Sequence, residues 1–522
     1  MSRFVSSLWF ALTLVVAPVA SAGKCGDFDG DGADDVVIGN PFAAAAGHDR
    51  AGAVQVMYGV VGFGAGTAHQ ELWDAASLGL AHVDTDELLG VASAIGDFDG
   101  DGFDDLAFSA PGRAVAKTRG AGVVFVLYGG ANGLGNLQTW HQNVPGIRDK
   151  VDSIDKESGV SSDLFGYKLV AADFDADGRD DLAIGLRETV KGKVDAGAVA
   201  VLYGSKHGLA AARNQFWTQE SRGVKDHAET DDVFSADLAA GDFDGDGFPD
   251  LAIVVAGETT KAGGLGETHQ GAIQVLRGGK HGLTAKKNRI YRWTDFVSND
   301  VRSNFGTVLA VGDFNADGKA DLAIGDPTQT PSTAEGAGMV SVLYGSAGGL
   351  DPATFEQWSQ DSTGLSMTAS EGEAFGVALA TGDFDGDGDD DLVVGSPGNT
   401  AGAPHAGAIV LLHGTPAGLT ATGGKYWHQG SPGVLNDAEA DDYFGYGVSS
   451  GDFDGNGLPD VIIGVPGEEV AGSLPDAGAA AIFYCSQDVG PDPDWRNNLY
   501  LQGFGGMLGT PLTGGLFSVF LP

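Results

Sequence analysis

Four carboxylates or carboxamides spaced two, two and four residues apart on a glycine-bearing turn form an oxygen-rich pocket. That is the chemistry of a hard divalent cation. The chain carries seven such stretches: DFDGDGADD from Asp27, DFDGDGFDD from Asp97, DFDADGRDD from Asp173, DFDGDGFPD from Asp242, DFNADGKAD from Asp313, DFDGDGDDD from Asp383 and DFDGNGLPD from Asp452. Positions one, three, five and nine offer side-chain oxygens, and position seven offers a backbone carbonyl. The candidate ligands are Asp27, Asp29, Asp31, Ala33 and Asp35 in the first loop and Asp97, Asp99, Asp101, Phe103 and Asp105 in the second. The third and fourth loops offer Asp173, Asp175, Asp177, Arg179 and Asp181, and Asp242, Asp244, Asp246, Phe248 and Asp250. The fifth and sixth offer Asp313, Asn315, Asp317, Lys319 and Asp321, and Asp383, Asp385, Asp387, Asp389 and Asp391. The seventh offers Asp452, Asp454, Asn456, Leu458 and Asp460.

Calcium takes about six to eight oxygens in a tolerant geometry, whereas zinc prefers nitrogen and sulfur, and magnesium rarely occupies an all-protein cage. The expected cofactor is therefore Ca2+, up to seven ions. An EF-hand would need a Glu at its twelfth position and flanking helices. The corresponding residue in the second loop is Phe108, inside a strand pattern. The glycine at position six, Gly102 for example, permits the positive φ that reverses the chain. Asn315 and Asn456 each remove one charge, so those two sites are expected to be weaker. A structural role for the loops is expected before a catalytic one.

The loops begin 70, 76, 69, 71, 70 and 69 residues apart, so one supersecondary unit recurs. Around Asp383 the unit reads EAFGVALATGDF, the acidic loop, DLVVGSPG, AGAIVLLHG and KYWHQG. These are four short apolar or aromatic segments separated by turn residues, an antiparallel meander. The fourth segments carry Trp73, Trp140, Trp217, Trp293, Trp358, Trp427 and Tyr500. A single four-stranded sheet cannot bury both faces, but seven packed radially can, which predicts an all-β, seven-bladed propeller over residues 23–522. A linear solenoid is the alternative, and it would need polar caps. Closure is favoured because the first unit lacks a strand before Asp27. Fifteen residues separate the fourth-strand Gln from the next Phe in three units, and the same count from Gln502 lands on Phe517. The C-terminal strand, Leu516 to Leu521, is thus expected to close the first blade.

Composition narrows the setting. The net charge is −42, yet 43% of residues are hydrophobic, enough for a large core. Nucleic acid and anionic membrane are not expected as partners at this charge. Residues 1–22 read as a secretory signal cleaved near Ala22: Arg3, an apolar run, then Ala20-Ser21-Ala22. No later stretch is apolar and long enough to span a bilayer. The expected product is an exported monomer, extracellular or periplasmic. Its two cysteines, Cys25 and Cys485, form an even pair that reads as a disulfide in an exported chain, with two free thiols as the alternative. Cys485 replaces the Gly that ends the third strand elsewhere, such as Gly204 and Gly345, and a bridge would latch blade seven to blade one.

These residues resemble the FG-GAP repeats of the integrin α-chain propeller. The "FG" is Phe165-Gly166, Phe305-Gly306, Phe375-Gly376 and Phe444-Gly445. The "GAP" counterpart is Gly39-Asn40-Pro41, Ser109-Ala110-Pro111, Gly325-Asp326-Pro327, Gly395-Ser396-Pro397 and Gly464-Val465-Pro466. The resemblance implies a calcium-stabilised propeller suited to binding. All seven units carry the loop, more than the integrin pattern implies, and no interval could hold an inserted adhesion domain.

Catalytic signals are thin. Gly447-Val448-Ser449-Ser450-Gly451 matches G-x-S-x-G, but it runs from a strand into an acidic loop rather than a helix. The expected function is adhesion or recognition of an extracellular protein or glycan. The long acidic connections, Arg148 to Asp163, Lys225 to Asp232 and Asn436 to Asp442, would supply the surface. The alternatives are an extracellular hydrolase or lyase (phospholipase D-like or polysaccharide-active), and a structural envelope protein.

Overall fold

A computed structural model describes residues 26–44, 47–66, 68–151, 163–261, 267–296, 305–331, 333–365, 367–469, 477–487, 489–493, 496–501 and 507–508. Seven antiparallel sheets follow one another along the chain. In blade two the strands are Ser93–Gly96, Asp105–Ala110, Val123–Tyr128 and Gly135–Trp140, paired in sequence order. Blades three to seven repeat this order, beginning at Lys168–Ala172, Phe234–Gly241, Val308–Gly312, Leu379–Gly382 and Val448–Gly451. Blade one shows three strands, Val36–Asn40, Ala53–Met57 and Gln70–Trp73. The segment expected to complete it, 516–521, lies outside the described residues, as do Cys25 and residues 1–22, the expected leader.

Burial follows strand position. Second and third strands such as Asp105–Ala110 and Val123–Tyr128 are buried along their whole length, sandwiched between neighbouring blades. The outermost strands are mostly half-exposed, as in Gly135–Trp140. This explains why the outer strands start earlier than their apolar residues indicate. Thr420–Trp427 includes the polar stretch before Lys425, and its pairing shifts register between Leu411 and His413. In blade four, Trp293 opens a one-turn helix, Trp293–Phe296, directly after the outer strand.

The ring closes within the described residues. The Asp34 amide of blade one donates to the Asp452 carbonyl of blade seven at 2.8 Å, and the Asp452 amide returns a 2.8 Å bond to Asp34 Oδ2. The same reciprocal pair joins Asp104 to Asp27, Asp180 to Asp97 and Asp390 to Asp313. Blade seven therefore meets blade one as consecutive blades meet each other. Tyrosines add a second repeated contact. Tyr58, Tyr128, Tyr203 and Tyr344 each cover a glycine of the next blade, and Tyr484 covers Gly64 of blade one. A Cβ on Gly133 would come within 2.3 Å of the Tyr58 hydroxyl, so glycine is required there. Val36, Ile38 and Met57 of blade one share a core with Phe453, Ile462 and Tyr484 of blade seven. No helix among the described residues is long and apolar enough to cross a membrane.

Candidate metal centres

Each acidic loop joins the first strand of a blade to the second. Its second residue is a Phe driven into the core: Phe28, Phe98, Phe174, Phe243, Phe314 and Phe384 are 0% exposed and Phe453 3%. This plug fixes one end of the loop, and glycine sets the reversal. Gly32 and Gly102 adopt φ of 93° and 94°, as the sequence predicts. Position four is left-handed as well, and in loops three and five it is an alanine, Ala176 at 52° and Ala316 at 47°.

The first Asp organises the turn. Asp27 Oδ1 accepts from the Gly30 and Asp31 amides at 2.7 and 3.1 Å, and Oδ2 accepts from Gly32 at 2.9 Å. Asp97 repeats these bonds with Gly100, Asp101 and Gly102. Carboxylate oxygens then converge. Asp27, Asp29 and Asp31 lie within 4.8 Å of one another, as do Asp97, Asp99 and Asp105, Asp173, Asp175 and Asp181, and Asp242, Asp244 and Asp246. The ninth-position Asp is the most buried of the set. Asp105 is 1% exposed, and both its oxygens accept backbone amides, from Phe98 and Gly129 at 2.8 Å each. Burial nonetheless pushes its pKa up to about 8, and those of Asp35, Asp181, Asp321 and Asp460 to about 8 as well. A buried carboxyl surrounded by other carboxylates either holds its proton or needs a cation. The donor set, oxygen throughout in loops one and two, fits a hard dication.

The seven loops line up with the repeat positions of a known sequence family. The FG-GAP repeat matches residues 21–57, 89–127, 165–202, 234–276, 305–343, 375–412 and 444–483. The chain belongs to the FG-GAP repeat family. It is 30% identical over 238 residues to integrin alpha-7 of Rattus norvegicus, covering 44% of this chain and 18% of that protein. To integrin alpha-PS2 of Drosophila melanogaster it is 32% identical over 267 residues, covering 50% of this chain and 17% of the relative. It also matches a phosphatidylinositol-glycan-specific phospholipase D of Bos taurus, 28% identical over 180 residues, covering 34% of this chain and 20% of that one. The chain thus spans only about a fifth of the length of these relatives.

Within the FG-GAP ring the seven loops are not equivalent, because protein cations stand beside four of them and an imidazole beside a fifth. In loop four, Arg277 Nη1 lies 2.5 Å from Asp250 Oδ2 and 3.1 Å from Asp244 Oδ2, and all three side chains are at least nine-tenths buried. Arg213 pairs with Asp175 in loop three at 2.5 Å, Lys319 with Asp317 in loop five at 3.0 Å, and Arg496 with Asp454 in loop seven at 2.9 Å. His413 sits between Asp385 and Asp391 of loop six. Loop four is therefore neutralised from inside. In chelator, Arg277→Ala should destabilise the protein by about 3–5 kcal/mol, since it strands two buried carboxylates. Arg213→Ala, whose side chain is 52% exposed, should cost less than about 1 kcal/mol. Equal losses for the two variants in urea melts would refute this built-in cation.

Sequence reasoning missed these cations, although a signal existed. The third strand is followed or ended by Tyr58, Tyr128, Tyr203, Tyr344 and Tyr484 in five units, and Arg277 and His413 stand at that position in the other two. The eighth loop position was also overlooked. Asp34, Asp104, Asp180 and Asp390 tie adjacent loops together there, whereas Pro249 and Pro459 have no amide to donate. Cys485 is fully buried in a cluster with Phe384 of loop six and Phe444 and Phe483, and its expected bridging partner, Cys25, lies outside the described residues. The G-x-S-x-G match lies in strand Val448–Gly451, where Ser450 Oγ donates to the Thr381 carbonyl at 2.8 Å.

A cavity of about 440 Å³ opens among the acidic loops of blades two to five, lined by Asp97, Asp173, Asp180 and Asp242 among small residues. The opposite face has its own repeated device. Gln219, Gln360 and Gln429, each after a fourth-strand Trp, donate to buried Glu258, Glu373 and Glu468 at 3.3, 3.0 and 2.9 Å. These bonds anchor the long connections, which emerge on that side.

Proposed function

We propose that this protein is a secreted, calcium-stabilised FG-GAP propeller that recognises an extracellular protein or glycan through the face opposite its acidic loops. The observation that carries this reading is the division of labour between the two faces. Seven metal-type loops lie on one side, and backbone hydrogen bonds join neighbouring loops at five of the seven junctions, which suits stapling. The other side carries connections of variable length and composition, anchored at their bases by buried Gln–Glu pairs, which suits recognition. Calcium is supported by the oxygen-only donors of loops one and two and by the raised pKa of their buried Asp35 and Asp105. Likeness to integrin α-chains supports the adhesive reading. The α-chains are far longer, so their subunit pairing is not carried over. Export rests on the leader-like first 22 residues.

The test is binding to glycan and extracellular-protein arrays in calcium and in EDTA. Calcium-dependent capture of a defined ligand class is expected, with loss when the connection Asn436 to Asp442 is replaced. Retention of no ligand in calcium would favour an envelope role instead. The catalytic alternative has only the phospholipase D likeness behind it, and turnover of a phosphodiester or polysaccharide substrate would establish it.

A further inference from the structure

Loop six departs from its neighbours in a way that changes the metal it would select. In blades one, two, three, five and seven, Oδ2 of the ninth-position Asp accepts the amide of the loop Phe at 2.8 to 3.0 Å. In blade four that oxygen takes Arg277. In blade six, among the described residues, Asp391 is 1% exposed and its Oδ2 has no hydrogen-bond partner. Beside it stands an imidazole. His413 Nδ1 lies 3.3 Å from Asp391 Oδ1 and 3.3 Å from Asp385 Oδ2. Ligand atoms of all three side chains fall within 4.8 Å of one another.

We propose that the Asp385–Asp391–His413 cluster is a binding site for a divalent transition-metal ion of the zinc class, distinct from the calcium sites of the other loops. Three arguments support it. Imidazole nitrogen is a preferred ligand of Zn2+ and its neighbours and a poor one for calcium, which selects oxygen. The spacing fits, since a tetrahedral ion with bonds of about 2.1 Å sets its donors about 3.4 Å apart. The ring is also placed for it: the Nε2 edge lies beside Gly423, leaving Nδ1 turned to the two carboxylates. His413 is 15% and Asp385 19% exposed, so an ion can enter from solvent. The inference rests on the reading that these loops take cations, but it concerns which cation one of them prefers.

Cobalt(II) serves as a coloured probe for zinc. The metal-free full chain is titrated with CoCl2 in the presence of excess CaCl2, and bound calcium is measured on the same samples by atomic emission. The expected result is about one equivalent of cobalt with a visible d–d band, abolished by Zn2+, while calcium stays bound elsewhere. His413→Tyr installs the residue that five other blades use and should lose the band, with an unchanged melting temperature in calcium. Asp101→Ala, in loop two, should keep it. Absence of a band, or an equal band in His413→Tyr, overturns the proposal. An intense thiolate charge-transfer band would move the ion to Cys485 and overturn it equally. Loss of calcium with cobalt retained would count against the calcium reading alone.

Discussion

Chelation of calcium is expected to lower the melting temperature of this protein by about 7 °C. A site with a Kd near 0.1 mM, in about 1 mM free ion, stabilises the folded chain by roughly 1.4 kcal/mol. Loop four carries its own guanidinium, and loop six has a nitrogen donor, which leaves five loops for calcium. Together these contribute about 7 kcal/mol if they act independently. Unfolding entropy is about 2.1 cal/mol/K per residue, so a propeller of this size has an entropy change near 1 kcal/mol/K. One degree per kcal/mol follows. Differential scanning fluorimetry of protein in EDTA and in 1 mM calcium measures the shift. A metal-free sample whose melting curve does not move on adding calcium would sink the assignment. Magnesium at the same concentration should recover little of the loss, because it does not readily shed its waters for an all-protein cage.

The sequence was most informative where a strand is buried on both faces or a turn has strict requirements. Phe98, Gly102 and Asp105 sit at fixed offsets because the loop must plug the core, reverse at positive φ and bring a carboxylate back to the start. Each demand admits few residue types, so the seven units and their strands could be aligned without coordinates. The outer strands were harder. Gly135–Trp140 and Thr420–Trp427 pack on one face only, and their residues before the aromatic are polar enough to read as loop. The cations at the loops were harder still. Arg277 and His413 come from the third strand, about 30 residues after the loop each one serves, and only the folded blade brings them to it. Cys485 shows a related point: it packs against Phe384 of blade six, whereas Tyr484 just before it covers Gly64 of blade one, and nothing in the repeat states which neighbour each one meets.

The second large effect is a pH dependence whose sign opposes ordinary acid denaturation. In the ion-free chain the pKa values of Asp35, Asp105, Asp181, Asp321 and Asp460 stand at about 8, raised chiefly by burial, and those of Asp34 and Asp250 at about 6 and about 7. Unfolded, each carboxyl would titrate near 3.9. Between about pH 4 and 8 the folded chain therefore binds more protons than the unfolded one, and stability must fall as pH rises through that window. Each unit of raised pKa is worth about 1.4 kcal/mol, and all these groups push in the same direction. Calcium reverses the requirement, because its ligands must be ionised. Metal-free protein should thus melt highest near pH 5 and progressively lower towards pH 8, and the gain from saturating calcium should widen over the same range. Melting curves in EDTA and in calcium at half-unit steps from pH 5 to 8.5 test both halves. A metal-free melting temperature that climbs with pH would mean the ninth-position carboxyls are ionised without an ion. The hydrogen bonds from Phe98 and Gly129, and their counterparts in the other blades, would then be sufficient to hold the charge. The cation would be an adornment of the loop and not the reason for it.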